Sequence, residues 1–301
     1  MSTLRHLVGI RELSSDAIHR LLDLALDCRT GISGAGPLAG KTVALLFMEP
    51  STRTRFSFEM AAKSLGAETM VFQAGVSSTT KGESLLDTAK TLRAIGADAF
   101  VIRHRKVGAA HLLAEKIGVP VINAGDGINE HPTQALLDAL TLRDHLGPFQ
   151  GRTIGIVGDV RHSRVARSNC FLLNKVGAQV VMCGPGTLCP SSMKALGVEI
   201  LPNIDQVIRR SDAVMMLRIQ RERLGVAMLP SDREYAEIYG LDEARYLQTG
   251  ATALVMHPAP MNRGVEIDDA VADGKASVVL QQVKNGVAVR MAVLRELLEG
   301  Q

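Results

Sequence analysis

Ser51-Thr52-Arg53-Thr54-Arg55 brings hydroxyls and two guanidinium groups together within five residues. The apolar run ahead of it, Thr42-Val-Ala-Leu-Leu-Phe47, reads as a buried strand. Behind it, Phe56, Phe58, Met60, Ala61 and Leu65 are expected to supply the apolar face of a helix that ends at Gly66. Pro50 to Arg55 is then a strand-to-helix turn, with Ser51 or Thr52 at the cap. A helix start exposes backbone N–H groups and the positive end of the helix dipole. Ser-Thr at such a place ordinarily serves only as a cap. Arginines sit poorly beside the same dipole unless a strong anion offsets them, so the turn is expected to hold phosphate.

Further polar groups fall at the ends of other expected strands. Ala97-Asp-Ala-Phe-Val-Ile102 leads into Arg103-His104-Arg105. Gly118-Val-Pro-Val-Ile122 leads, through a Gly/Asn-rich stretch, to His131-Pro132-Thr133-Gln134, where Pro132 suits the first position of a helix running to Leu146. Between these lies a polar loop, Gly75 to Glu83, which contains Ser77 and Lys81. After the Gly/Pro break at 146–151, a strand over 153–157 precedes Gly158-Asp-Val-Arg-His-Ser-Arg164. A strand over 212–217 ends at Arg218-Ile219-Gln220, and one over 252–256 ends at His257-Pro258-Ala259-Pro260. Alternating strands and helices of this kind predict parallel sheets with helices on both faces. Ligands then sit beyond the C-terminal strand ends. The expected fold class is α/β, with two doubly wound parallel-sheet domains and the site in the cleft between them. Their expected extents are 1–146 and 147–284, and a C-terminal helix over about 285–301 is expected to pack back on the first domain.

Composition narrows the classes. The chain has 301 residues, 46% of them hydrophobic, which is enough for two cores. A net charge of +3 and 3% aromatics argue against nucleic-acid binding. No apolar run approaches the roughly 20 residues of a membrane helix, and the start of the chain does not read as a signal peptide. Cys28, Cys170, Cys183 and Cys189 lack metal-site spacing and read as reduced thiols, so the expectation is a cytoplasmic protein without metal or cofactor. Gly155-x-x-Gly158 invites a nicotinamide reading, but the full glycine fingerprint is absent. The polar set is cationic and neutral, with no defensible nucleophile–base pair. It therefore calls for anionic substrates and charge stabilisation rather than covalent catalysis.

In this order, Ser51–Arg55, Lys81, Arg103-His104, His131-Pro-Thr-Gln134, Gly158-Asp159 with Arg164, Arg218-x-Gln220 and His257-Pro-Ala-Pro260 resemble the transcarbamoylases. Phe47-Met-Glu-Pro50, His131–Gln134, Arg218–Gln220 and the stretch from Pro258 to Ile267 are similar to the aspartate branch. An ornithine enzyme is expected to carry a cysteine in its His-Pro-x-Gln motif, where Thr133 stands here.

The resemblance implies transfer of the carbamoyl group of carbamoyl phosphate to the α-amine of L-aspartate, in pyrimidine biosynthesis. It places phosphate on Ser51, Thr52, Arg53, Thr54 and Arg103. The carbamoyl oxygen falls to Thr54, Arg103 and His131, and the carbamoyl amine to Gln134 and the backbone carbonyls of Pro258, Ala259 and Pro260. Arg164 takes the α-carboxylate of aspartate, Arg218 and Gln220 take its side-chain carboxylate, and Lys81 assists with both ligands. The resemblance further implies a homotrimer in which Ser77 and Lys81 enter a neighbouring subunit's site, and a domain closure in which Glu49 pairs with Arg164 and Arg223. Higher assembly with regulatory chains or a dihydroorotase-like protein stays open. The alternatives are a transcarbamoylase for another amine and a non-catalytic assembly subunit.

Overall fold

The structure, a computed structural model, describes residues 4–29, 36–73, 84–220, 231–250 and 252–300. Ser77, Lys81 and Arg223 lie outside the described residues. The chain divides into two compact units, residues 1–137 with 284–301 and residues 138–283.

In the first unit, α1 (Ser15–Arg29) is followed by β1 (Thr42–Phe47), α2 (Thr52–Ser64), β2 (Glu68–Gln73), α3 (Leu85–Ile95), β3 (Ala99–His104), α4 (Ala109–Ile117) and β4 (Val121–Asp126). The four strands are parallel, in the order β2-β1-β3-β4. The second unit contains β5 (Thr153–Val157), α6 (Arg164–Lys175), β6 (Gln179–Cys183), β7 (Glu199–Ile200), α7 (Ile204–Arg210), β8 (Ala213–Met216), α8 (Asp232–Tyr239), α9 (Glu243–Gln248), β9 (Leu254–Met256) and α10 (Asp269–Ala272). Its parallel sheet runs β7-β6-β5-β8-β9. Two helices pass from one unit to the other, α5 (Pro132–Leu146) and α11 (Val279–Leu298).

Most strand residues are shielded because helices cover both faces of such sheets. All six residues of β4 are buried, as are five of six in β1 and four of five in β5. The first core gathers Ala44, Leu46, Phe100, Ile102, Leu113 and Val121, among others. The second gathers Val157, Val181, Val207, Met216, Val255 and Val271 with their neighbours.

One expected face is corrected. In α2, Phe58, Ala61 and Ala62 are buried, whereas Phe56 and Met60 are 52% and 54% exposed. Residues two apart on a helix lie about 200° apart, so Phe56 and Phe58 cannot share a face. The glycines at 155 and 158 also receive a packing explanation. A Cβ on Gly155 would sit 2.5 Å from Val207 Cγ1, so the glycine lets α7 close onto β5. Gly158 has φ +124°, and a Cβ there would fall 2.8 Å from the Tyr235 hydroxyl. Neither close approach calls for a dinucleotide.

Candidate active site

Each sheet order reverses direction at one place, and the polar residues collect there. In the first sheet, β1 pairs with β2 on one side and β3 on the other. The register sets Phe47 opposite Arg103 at the C-terminal ends of β1 and β3. That is the topological switch point, where open α/β sheets bind ligands.

The turn after β1 delivers Ser51 as the N-cap residue of α2, in extended backbone geometry, but its side chain makes no cap hydrogen bond. The Ser51 hydroxyl instead donates to Thr54 Oγ1 at 2.9 Å. Arg53 falls in the first turn of α2. Arg55 is engaged along its own helix: its Nε lies 3.2 Å from Glu59 Oε1 and its guanidinium stacks 4.7 Å from the centre of the Phe56 ring.

Arg103 is fixed by Nη1 donating to the Ala124 carbonyl at 3.1 Å and Nη2 to Glu49 Oε1 at 3.0 Å. Glu49 thus holds Arg103 in this structure. Its neighbour His104 accepts the Lys106 N–H at Nδ1, and burial holds its pKa below the usual histidine value.

His131 is buried at the start of α5, and its carbonyl accepts the N–H groups of Gln134 and Ala135. A buried polar cluster holds the turn that delivers it. Asn123 Nδ2 donates to Asp126 Oδ1 and to the Val8 carbonyl, Asp126 Oδ2 accepts the Gly108 N–H, and Glu130 Oε2 accepts the Ile10 N–H at 2.7 Å. Sequence reasoning missed Asn123, Asp126 and Glu130. The only signal available was their presence within an otherwise apolar strand and turn.

In the second sheet, β5 lies between β6 and β8, so its switch point falls between β5 and β8. The loop after β5 is tied down by Asp159, which is 1% exposed. Its Oδ1 accepts the His162 N–H at 3.2 Å and lies 2.9 Å from His162 Nδ1. Ser163 caps α6 by accepting the Ala166 N–H at 3.1 Å, which places Arg164 at the first helical position, buried. Arg218 and Gln220 follow β8 as half-buried residues on either side of buried Ile219. The segment after β9 is held against them, with Asn262 Nδ2 donating to the Ile219 carbonyl at 3.3 Å. Within it Ala259 has φ +50° and a cis bond to Pro260.

Each unit thus gathers hydroxyls, amides or guanidiniums at its switch point, the chemistry of an anion-binding half-site. Among the described residues, no group of three or more His, Cys, Asp or Glu is placed to hold a metal, and no helix is long and apolar enough to cross a membrane.

Comparison with known proteins accounts for both halves. Residues 5–144 match the family model described as "Aspartate/ornithine carbamoyltransferase, carbamoyl-P binding domain". Residues 150–297 match "Aspartate/ornithine carbamoyltransferase, Asp/Orn binding domain". The chain belongs to the aspartate/ornithine carbamoyltransferase family. Among curated members, the aspartate carbamoyltransferase catalytic subunit of Myxococcus xanthus is 55% identical over 296 residues, covering 97% of this chain and 98% of its own. That of Syntrophotalea carbinolica is 52% identical, covering 96% of this chain and 94% of its own. Among solved structures, aspartate transcarbamoylase of Trypanosoma cruzi in complex with carbamoyl phosphate and aspartate superposes with a TM-score of 0.87 at 30% identity, covering 98% of this chain and 97% of that one. Ornithine carbamoyltransferase of Pyrococcus furiosus superposes nearly as well, with a TM-score of 0.86 at 28% identity and coverage of 99% and 98%. The family fold therefore leaves the amine substrate open, and the side chains of the second half-site must decide it.

Proposed function

We propose that this chain transfers the carbamoyl group of carbamoyl phosphate to the α-amine of L-aspartate, giving N-carbamoyl-L-aspartate and phosphate, in de novo pyrimidine biosynthesis. The observation that carries this reading is Arg218 at the C-terminal end of β8, with Gln220 beyond it. A guanidinium there suits the side-chain carboxylate of aspartate and repels the ammonium of ornithine. The first half-site supplies Ser51, Thr52, Arg53, Thr54 and Arg103 for the phosphate. Arg164 takes the α-carboxylate.

The neutral α-amine attacks the carbonyl carbon, and the bond from that carbon to the phosphate oxygen breaks from the tetrahedral intermediate. Phosphate leaves with the bonding pair and accepts the amine proton. Thr54, Arg103 and His131 donate to the oxyanion, each removal costing about 3 kcal/mol on the oxyanion-hole precedent. Gln134 and the carbonyls of Pro258, Ala259 and Pro260 orient the carbamoyl amine. No enzyme nucleophile is needed, and holding both substrates provides the remaining acceleration by proximity.

The active form is a homotrimer in the cytoplasm, with Ser77 and Lys81 completing a neighbouring subunit's site. The exposed pair Phe56 and Met60, one turn apart on α2, supports burial against a second copy. Mixing Lys81→Ala with Arg103→Ala should restore activity that each lacks alone; inactive mixtures would argue against shared sites. Further assembly with regulatory chains or a dihydroorotase-like protein agrees with the name "catalytic subunit" borne by the relatives.

The deciding experiment assays carbamoyl transfer with L-aspartate and L-ornithine, with Arg53→Ala as control. Turnover with aspartate alone, lost in the variant, supports the reading. Turnover with ornithine overturns the role of Arg218.

A further inference from the structure

The second unit buries a continuous polar chain that makes none of the substrate contacts proposed above. His257 and Glu266 are both fully shielded, with Nε2 and Oε1 3.2 Å apart. His257 Nδ1 accepts the Ala259 N–H at 2.8 Å, so the ring proton sits on Nε2 and is donated to Glu266. The same Glu266 oxygen accepts the Asn262 N–H at 2.6 Å. In the other direction, the His257 N–H donates to Gln282 Oε1 at 3.0 Å, and Gln282 Nε2 donates to Asp138 Oδ1 at 2.7 Å. Asp138 Oδ2 accepts Asn169 Nδ2 at 2.8 Å, and that amide also donates to the Val165 carbonyl at 3.0 Å. All five side chains are at most 2% exposed.

Backbone groups fix the polarity of the whole chain. A backbone N–H can only donate, so Gln282 must turn its oxygen to His257 and its nitrogen to Asp138. A backbone carbonyl can only accept, so Asn169 must turn its nitrogen to Val165 and Asp138. Asp138 therefore accepts at both oxygens. The two ends are informative: one is the segment 257–262, which carries the Pro258, Ala259 and Pro260 carbonyls, and the other is the first turn of α6, where Val165 adjoins Arg164. Each such bond adds little net stability, because the unfolded chain makes equivalent bonds to water. A buried chain in which a donor meets an acceptor at every joint instead selects one arrangement of the groups attached to it, although Asn169 Oδ1 and Glu266 Oε2 take no partner among the described residues.

We propose that Glu266, His257, Gln282, Asp138 and Asn169 form a positioning network that holds the carbonyls of 258–260 and the Arg164 guanidinium in one fixed relation, so that carbamoyl amine and aspartate α-carboxylate are presented together. The proposal rests on the roles given above to Arg164 and residues 258–260.

A polarity swap tests it. Asp138→Asn sets an amide donor against a second donor, from Gln282 or from Asn169. Gln282→Glu sets two carboxylates face to face. In the double variant the new amide at position 138 donates its N–H to the new carboxylate at position 282. That carboxylate still accepts the His257 N–H, and the amide oxygen at position 138 still accepts from Asn169, so each joint of the chain is regained. Asp138→Asn should lower kcat/KM for aspartate by on the order of tenfold or more, as misplaced reacting groups do, and the double variant should recover most of that loss. Inorganic phosphate affinity, measured by calorimetry, should not change in any of the three.

A folded Asp138→Asn protein with parental aspartate kinetics overturns the proposal. So does a folded double variant no faster than the single ones. Should Asp138→Asn fail to fold, Gln282→Glu against the double variant makes the same comparison. Failure of the functional reading is distinct: the unmodified protein would then not turn over aspartate at all.

Discussion

In the first unit the groups proposed to bind phosphate, Ser51, Thr52, Arg53 and Thr54, are consecutive and share one helical turn. In the second, Arg164, Arg218 and residues 258–260 come from three separate strand ends. The two rely on different physics. A phosphate group is compact and tetrahedral, so one helix start with its own hydroxyls can surround much of it. An amino dicarboxylate spreads two charges and an amine over several ångströms. The groups proposed to ligate it must be held apart at a set distance, a task suited to buried scaffolding such as the Asp159–His162 pair and the chain from Glu266 to Asn169. The capping serines show the same division of labour. Ser163 uses its side chain to cap α6, whereas the Ser51 hydroxyl is turned to Thr54 rather than to the helix.

The largest expected effect is on the chemical step. His131→Ala should lower kcat by about 10² to 10³, the cost of one oxyanion donor, while leaving the fold intact by circular dichroism. Next, Arg218→Ala should raise the KM for aspartate on the order of a hundredfold, from about 3 kcal/mol of lost charge-assisted bonding, with little change in phosphate affinity. If phosphate binding fell equally in that variant, the separation into two half-sites would break. The serines sharpen the contrast: Ser163→Ala should cost about 1 kcal/mol of unfolding free energy in urea. Ser51→Ala should cost measurably less stability and yet slow turnover by about tenfold, if its hydroxyl serves the substrate.

The smallest effect concerns pH. Burial pushes the Cys170 and Cys183 thiols up from an ordinary 9.0 to about 12, and Cys189 to about 11. Well below pH 9 these thiols hold their protons in both folded and unfolded chains, and their neutral burial costs nothing extra. Between about 9 and 11 the unfolded chain loses the protons and the folded one keeps them, so stability falls as pH rises. Urea midpoints should decline over that window, and Cys170→Ala should flatten the decline.

The phosphate turn is legible in the sequence because its parts are local: an apolar strand, a helix cap and arginines within a few residues. The strands beginning near 42, 68, 153, 179 and 213 are legible for the same reason, as short apolar runs between turn residues. Helices α4, α7, α8, α9 and α10 are not, being only four to nine residues long. Arg55 reads as part of the cradle from sequence alone, but Glu59, one turn along the helix, claims it.

By itself the sequence determined which residues stand at strand ends and helix starts, and hence where hydroxyls, amides and guanidiniums gather in each half of the chain. Those choices follow from hydrophobic period and turn chemistry over a few residues. Only the tertiary structure decided that β1 lies beside β3 and β5 beside β8, which creates the two switch points. It alone brought Asp138 and Gln282 within 2.7 Å of each other. Strand order and long-range hydrogen bonds are settled by packing between segments far apart in the chain, and no local pattern of residues encodes them.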